Sequence, residues 1–280
     1  MTTIDATLRG AVSGADADLT LTLDPAFQGL PESAHGGSLL ALYDALAGRR
    51  GARTLRGRYL RRVPVGVPLA FTMTRDAGAV AFSVAEHDGT VLADGRVVEP
   101  ETLANRVVPA PGAEAAPLPV SLSCLACGLE NSRGLRAQLT FDSRIVGGAW
   151  TPRPEFRDDD GRLSPIALTT LLDEAAFWLG ALASGESGMT TDLAITLHAD
   201  APSDAPVLIS GERGATRPRA DDPRYWETQA SARDQAGRLL ATAAITFVAV
   251  RGAARKLVTG LLAINPPEVV RRAFPAYSPR

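Results

Sequence analysis

Cysteine is nearly absent from this chain: two occur in 280 residues, Cys124 and Cys127. A disulfide framework is excluded, and a lone C-x-x-C pair supplies at most half of a usual zinc site. His87 and His198 stand at no metal-like spacing, so no metal is expected, and the cysteine pair reads as structural. The acidic run "RDDDG" (Arg157–Gly161) reads as a solvated turn rather than as metal ligands. Lysine occurs once, at Lys256, a bias attributed to genome composition and not to a binding site. Acidic and basic residues nearly balance, 31 against 29, which leaves no positive excess to hold a nucleic acid. No apolar run approaches the roughly 20 residues that cross a bilayer, and no charged-apolar-small leader opens the sequence. The expectation is a cytoplasmic protein with neither nucleic-acid nor membrane partner.

What is present is a repeat. The Pro- and Ala-rich stretch from Pro100 to Ser123 has neither helical nor strand period and reads as a linker. On each side the same order recurs: a strand-like opening, one long apolar helix, then strands. "VAEHDGTVLADGRVVE" aligns with "SARDQAGRLLATAAITFV", which matches Gly89 to Gly237. "YLRRVPVGVPLAF" aligns with "TLHADAPSDAPVLI", each a strand broken by a Pro-containing turn. "HGGSLLALYDALAG" fits over "SPIALTTLLDEAAFWLG" and pairs His35 with Ser164, Gly36 with Pro165, and Asp44 with Asp173. Duplication predicts two copies of a helix followed by an antiparallel sheet packed around it, over residues 1–103 and 121–280, with 104–120 as the linker.

These residues carry a family resemblance over nearly the whole chain. The first half resembles the HGG-type acyl-CoA thioesterases of the hotdog fold through "FQGLPESAHGG", an acid nine residues after His35, "YLRRVPVG" and "HDGTVLADGRV" in that order. The second half resembles the variant that opens "CLACGLENSRGL" and continues "AWTPRPEFRDDDGRLSP" before its helix. The ordered set carries the likeness; "HGG" alone is unspecific. It implies an α+β chain of two tandem hotdog domains, each a long central helix wrapped by an antiparallel sheet, forming an intrachain pseudo-dimer. It also implies hydrolysis of an acyl thioester, with coenzyme A or the phosphopantetheine of an acyl-carrier protein as part of the substrate and no separate cofactor.

The glycines at the helix start suggest where the chemistry lies. Unpartnered amides at a helix N-terminus suit an anion, so Gly37 N–H, helped by Gly36, is a candidate donor to a thioester oxygen as it gains charge. A tight turn with close helix packing is the alternative reason for both glycines. Asp44 lies roughly 13 Å along the same helix from His35, too far for both to act on one carbonyl. Two antiparallel helices would instead place the acid of each near the tip of the other, as the resemblance implies. One composite site would join His35, Gly36 and Gly37 to Asp173 and Glu174; the other would join Asp44 to Ser164, Pro165 and Ile166. The latter reads as damaged, because Pro165 has no amide hydrogen and Ile166 adds bulk. The carboxylate at Asp173 would act as nucleophile or as general base on water. Glu174, about 100° around the helix, is expected to face elsewhere.

Further candidates follow, each beside a structural alternative. Thr190 and Thr191, at the start of the strand after the second helix, stand where the family has a hydroxyl that assists water or orients the acid, though threonine is also a good strand residue. Phe177 and Trp178 would line an acyl pocket or belong to the core. His35 would bind substrate or hold the turn. Arg61, Arg62, Arg213 and Arg217 are candidates for coenzyme A phosphates. Two other functions stay open: an enoyl hydratase or dehydratase, for which no Asp/His pair stands at short spacing, and a non-catalytic acyl-binding or assembly protein. Hotdog pairs often stack further, so a homodimer of these chains is an expectation.

Overall fold

In the computed structural model, which describes residues 3–15, 18–101, 108–112 and 114–277, the two halves repeat one topology. The first half runs α1 (Ile4–Gly10), β1 (Val12–Ser13), β2 (Leu19–Leu21), α2 (Gly36–Ala47), β3 (Arg53–Tyr59), β4 (Leu69–Asp76), β5 (Ala79–Ala85) and β6 (Val91–Val98). The second runs β7 (Ala116–Pro117), β8 (Thr140–Phe141), β9 (Ile145–Trp150), α3 (Pro165–Ser184), β10 (Gly188–Leu197), β11 (Val207–Glu212), β12 (Arg217–Pro218), β13 (Tyr225–Arg233) and β14 (Leu239–Ala249), followed by α4 (Ala253–Thr259) and α5 (Pro267–Ala273).

One 14-stranded sheet joins them in the order β1-β2-β4-β5-β6-β3-β10-β14-β13-β11-β9-β8-β7, with β12 paired to β13 off this path. Counted outward from the β3–β10 junction, β3-β6-β5-β4-β2 in one half matches β10-β14-β13-β11-β9 in the other. The junction is antiparallel, from Asp192 opposite Arg58 to Leu197 opposite Arg53.

Local irregularities repeat as well. The β5–β6 ladder shifts register between Val84 and Ala85, and β13–β14 does so between Ala232 and Arg233, at the aligned positions of the two hairpins. Gly89 and Gly237 turn these hairpins with φ of 87° and 81°, a left-handed backbone that glycine adopts without strain. Each long helix is preceded by a single 3-10 turn, Pro25–Phe27 or Pro154–Phe156. His35 and Ser164 are the two N-caps, and their amides donate to Phe27 and Phe156 carbonyls at 2.9 and 2.7 Å. Gly48 and Gly185 end the helices in the left-handed conformation.

Both long helices are buried around most of their circumference, α2 against β3 and β6, α3 against β10, β11, β13 and β14, and each against the other. Contrary to the expectation from the sequence, α3 is long and apolar enough to cross a membrane; most of the helix is buried inside the fold, which accounts for that character.

The segment 104–120 is not wholly a linker. Residues 104–107 and 113 lie outside the described residues, but Ala116–Pro117 forms β7 on the edge of the sheet and Leu118 is buried. The loop that follows crosses to the first half. Leu125 N–H donates to the Gln28 carbonyl at 2.7 Å, and Asn131 Nδ2 donates to the Ala26 carbonyl at 2.8 Å. Cys124 and Cys127 are thereby carried to the tip of α2.

Candidate active site

The tip of α2 is fixed before any ligand is considered. Ser38 donates its hydroxyl to the carbonyls of His35 and Phe27, at 2.7 and 3.1 Å, and Tyr59 donates its hydroxyl to the Gly36 carbonyl at 2.6 Å. The two helices meet at Gly37. A Cβ there would lie 2.5 Å from the Thr169 carbonyl oxygen and 2.6 Å from Thr170 Cα, and Thr169 donates its hydroxyl to the Gly37 carbonyl at 2.8 Å. Glycine at 37 is thus required for packing.

This approach brings Asp173 to the tip. Its Oδ2 accepts the Gly37 N–H at 3.0 Å and lies 3.1 Å from His35 Nδ1; its Oδ1 accepts the Thr190 hydroxyl at 2.7 Å. Burial by itself pushes the His35 imidazole toward neutrality, but the bond and charge of Asp173, with Glu174 beyond, outweigh it and hold the ring's pKa well above the ordinary value. Burial likewise favours a protonated Asp173, yet the charge and bond of His35, with the Thr190 and Gly37 bonds, hold it below the usual carboxylate range. Nδ1 therefore carries its proton toward Asp173, and the Gly37 amide, which also lies 3.2 Å from Nδ1, is left to the carboxylate.

The arrangement revises the roles expected of the two glycines. Gly37 N–H is engaged by Asp173, whereas Gly36 lines an adjoining cavity of about 120 Å³. A Cβ at Gly36 would lie 2.7 Å from Asp173 Oδ2, so a side chain there would displace the carboxylate. Glu174 does not face elsewhere: it lines the same cavity, with Oε2 3.7 Å from His35 Nε2 and Oε1 accepting the Trp178 Nε1–H at 2.9 Å. The His35 ring stands between the two neighbouring carboxylates.

Of the remaining candidates, Phe177, Trp178 and Thr190 line the cavity. Thr191 does not; it sits in the β10 bulge and donates to Asp192 and the Thr246 carbonyl. Arg61 and Arg62 lie at the cavity. Arg213 instead donates to the Asp142 carbonyl, and Arg217 pairs with Glu227. His198 bonds Thr242 at 2.8 Å, far along β10 from the tip, and His87 is exposed in a hairpin turn. Asp158, in the acidic run, caps its own turn through the Asp160 and Arg162 amides.

Three parts of the site are not expected there from the sequence. Tyr59 comes from β3, the cysteine loop adds Cys124 and Cys127, and Leu257, Leu261 and Leu262 cover the outer side of the cavity. Glu186 anchors that cover by accepting the Gly252 and Ala254 amides at the start of α4, at 3.0 and 3.2 Å. Leu257 lies on α4, and Leu261 and Leu262 lie in the turn that follows it; nothing local says what these leucines cover.

The second composite site is filled. Asp44 takes two bonds from Arg53, Nε to Oδ1 at 2.5 Å and Nη2 to Oδ2 at 2.6 Å, and Ser164 donates its hydroxyl to Asp5 of α1. Ile166 is fully buried. The acid expected at the Ser164 tip is thus replaced by Asp5, and Asp44 is neutralised within its own half.

No family model matches this chain, and no curated protein matches its sequence. Solved structures are similar to it in fold. A "putative thioesterase II" from Thermobifida fusca is 16% identical, with a TM-score of 0.60 over 88% of this chain and 99% of that one. A protein with hot dog fold from Alicyclobacillus acidocaldarius is 14% identical, with a TM-score of 0.54 over 88% and 97%. The dehydratase domain of RzxB from Pseudomonas fluorescens is 14% identical, with a TM-score of 0.57 over 86% and 98%. The chain has the hotdog fold, which these thioesterase-like and dehydratase chains share.

Proposed function

We propose that this hotdog chain hydrolyses an acyl thioester, with coenzyme A or an acyl-carrier phosphopantetheine as the thiol, at the one site where the tip of α2 meets Asp173. The observation that supports this most directly is the carboxylate of Asp173 held between the Gly37 amide and the Thr190 hydroxyl, beside a glycine that opens the cavity. The Gly36 N–H, first amide of the helix, is the donor available to a thioester oxygen as the carbonyl becomes tetrahedral. Asp173 then attacks the carbonyl carbon or takes a proton from the attacking water. The C–S bond breaks, and acid and thiol leave. His35 positions Asp173 through Nδ1. The apolar wall of Phe177, Trp178 and Leu261 suits the acyl group, and Arg61 and Arg62, which line the same cavity, would pair with phosphate.

The His35–Asp173 contact supports a second reading. Spacing along the chain shows no Asp/His pair, but the fold makes one across the two halves, as hydration of an enoyl thioester requires. Here the two groups are bonded to each other, which leaves neither free to address a separate carbon, and hydrolysis is the better fit.

A thiol-release assay over short, long and aromatic acyl-CoAs decides between them. Hydrolysis by the wild type that Asp173→Asn abolishes is the expected result. Hydration of an enoyl-CoA without thiol release would replace the reading with the second one, and binding without turnover would reduce the chain to an acyl-binding protein.

A further inference from the structure

The cavity wall holds three side chains that hydrolysis leaves without a joint role. His35 comes from the tip of α2, Glu174 from α3 and Cys124 from the loop that crosses between halves; one donor atom from each lies within 4.8 Å of the other two. All three are buried. His35 Nε2 and Glu174 Oε2 are 3.7 Å apart, too far for a hydrogen bond. That separation is within a few tenths of an ångström of the edge of about 3.3–3.5 Å between a nitrogen and an oxygen bonded to one tetrahedral ion at about 2.0–2.2 Å. We propose that His35 Nε2, Cys124 Sγ and Glu174 Oε2 bind a divalent transition-metal ion of zinc's class, with a further coordination position open to the cavity.

Each donor is already oriented by a neighbour. A metal-bound imidazole usually gives its other N–H to a carboxylate, and His35 Nδ1 lies 3.1 Å from Asp173 Oδ2, so Nε2 is the nitrogen that would give up its proton to the ion on binding. Trp178 Nε1–H occupies Glu174 Oε1 at 2.9 Å and leaves Oε2 to face the ring. The Ala126 amide donates to Cys124 Sγ at 3.4 Å, a bond that suits a thiolate. The donor set of one sulfur, one imidazole nitrogen and one carboxylate oxygen selects zinc or a similar ion over magnesium or calcium. Cys127, three residues on, is not one of the three donors; its thiol lies against Ser121 Oγ at 3.8 Å and against the Cys124 sulfur, where it supports that ligand. Three protein ligands with an open position are the pattern of a reactive zinc site, not of a closed structural one. The proposal does not depend on hydrolysis.

The full chain, stripped with a chelator, should be titrated with Zn²⁺ against a chromophoric competitor and separately with Co²⁺. One Zn²⁺ per chain and a thiolate-to-cobalt charge-transfer band are expected. Cys124→Ser and Glu174→Gln should each weaken Zn²⁺ binding by about tenfold or more, and His198→Gln, at a histidine bonded to Thr242 outside the cavity, should leave it unchanged. Circular-dichroism melts of the stripped proteins check folding. If Cys124→Ser does not fold, the wild-type cobalt spectrum and Glu174→Gln decide. A wild type that binds no stoichiometric Zn²⁺, a cobalt complex without the thiolate band, Glu174→Gln binding like the wild type, or an equal loss in His198→Gln would each overturn the assignment. None of these readouts uses thiol release, so failure of the hydrolase reading leaves this result standing.

Discussion

Asp44 and Arg53 form a two-pronged ion pair inside the first half, with both side chains buried. By the internal repeat Asp44 is the counterpart of Asp173, yet its partner is a guanidinium rather than a helix tip and a hydroxyl. The pair makes Asp44 a structural residue. Asp44→Ala would leave the Arg53 charge buried without its partner, a loss of about 3–5 kcal/mol, so a clear fall in melting temperature is expected. Thiol release per folded molecule, measured well below that melt, should persist. Joint replacement by Asp44→Leu and Arg53→Met should recover most of the lost stability. Loss of turnover in folded Asp44→Ala would mean that the second composite site is the working one.

The adjacent glycines separate packing from chemistry. Alanine at 37 would drive a methyl into the backbone of α3, so Gly37→Ala should destabilise the fold by about 1–3 kcal/mol through overpacking. Alanine at 36 meets the Asp173 carboxylate instead, and Gly36→Ala should lower kcat with a smaller change in the melt. Parallel thermal melts and thiol-release kinetics check both. Equal loss of stability in the two variants would remove the distinction.

Thr190 and Thr191 offer a sharper control, because both are threonines on one strand. Thr190→Val removes a hydrogen bond to a charged carboxylate, worth about 1.5–3 kcal/mol, and kcat should fall by about ten- to a hundredfold if Asp173 is used in the transition state. Thr191→Val, which loses contacts to Asp192 and a β14 carbonyl, should leave kcat near that of the wild type. A drop of the same size in both would point to strand damage instead.

The repeat is legible in the sequence because its marks are local. Turn glycines at 89 and 237 and the capped starts of two apolar helices are each set by a few neighbouring residues, and the structure returns them at matched places. The pairing of His35 with Asp173 follows from the antiparallel passage of the two helices. Glu174 departs from its expected direction because a helical step of 100° describes where a Cβ points; the longer side chain, held by Trp178, reaches the same imidazole from the other side. Arg53 is not identifiable from the sequence as the partner of Asp44, since spacing along the chain does not show that β3 turns this arginine back toward α2. Spacing alone makes Cys124 structural for lack of further ligands, whereas the loop carrying it is tied to the Gln28 carbonyl and so delivered to a histidine in the other half. Contacts of that kind arise from tertiary packing and leave no period or local motif.

Asp5 gives a test by pH of how the second composite site is closed. Burial raises its carboxyl pKa above the ordinary carboxylate value, against the lowering effect of the Ser164 hydroxyl and Arg9, while Asp158 and Asp44 add to the rise. A carboxyl whose pKa is higher folded than unfolded favours the folded state fully below the unfolded value, about 3.9, and that contribution is lost as pH rises through the folded value. At neutral pH the ionised Asp5 therefore works against the docking of α1. Asp5→Asn keeps an oxygen to accept the Ser164 hydroxyl and carries no charge, so it should raise the melting temperature at pH 7. That advantage should shrink as the pH is lowered toward 4 and below. Melts of the two proteins across this range check it. If Asp5→Asn is destabilised at pH 7 and matches the wild type only in acid, the ionised carboxylate is holding α1 in place, and the closure of this site is an electrostatic attachment instead of a packed plug.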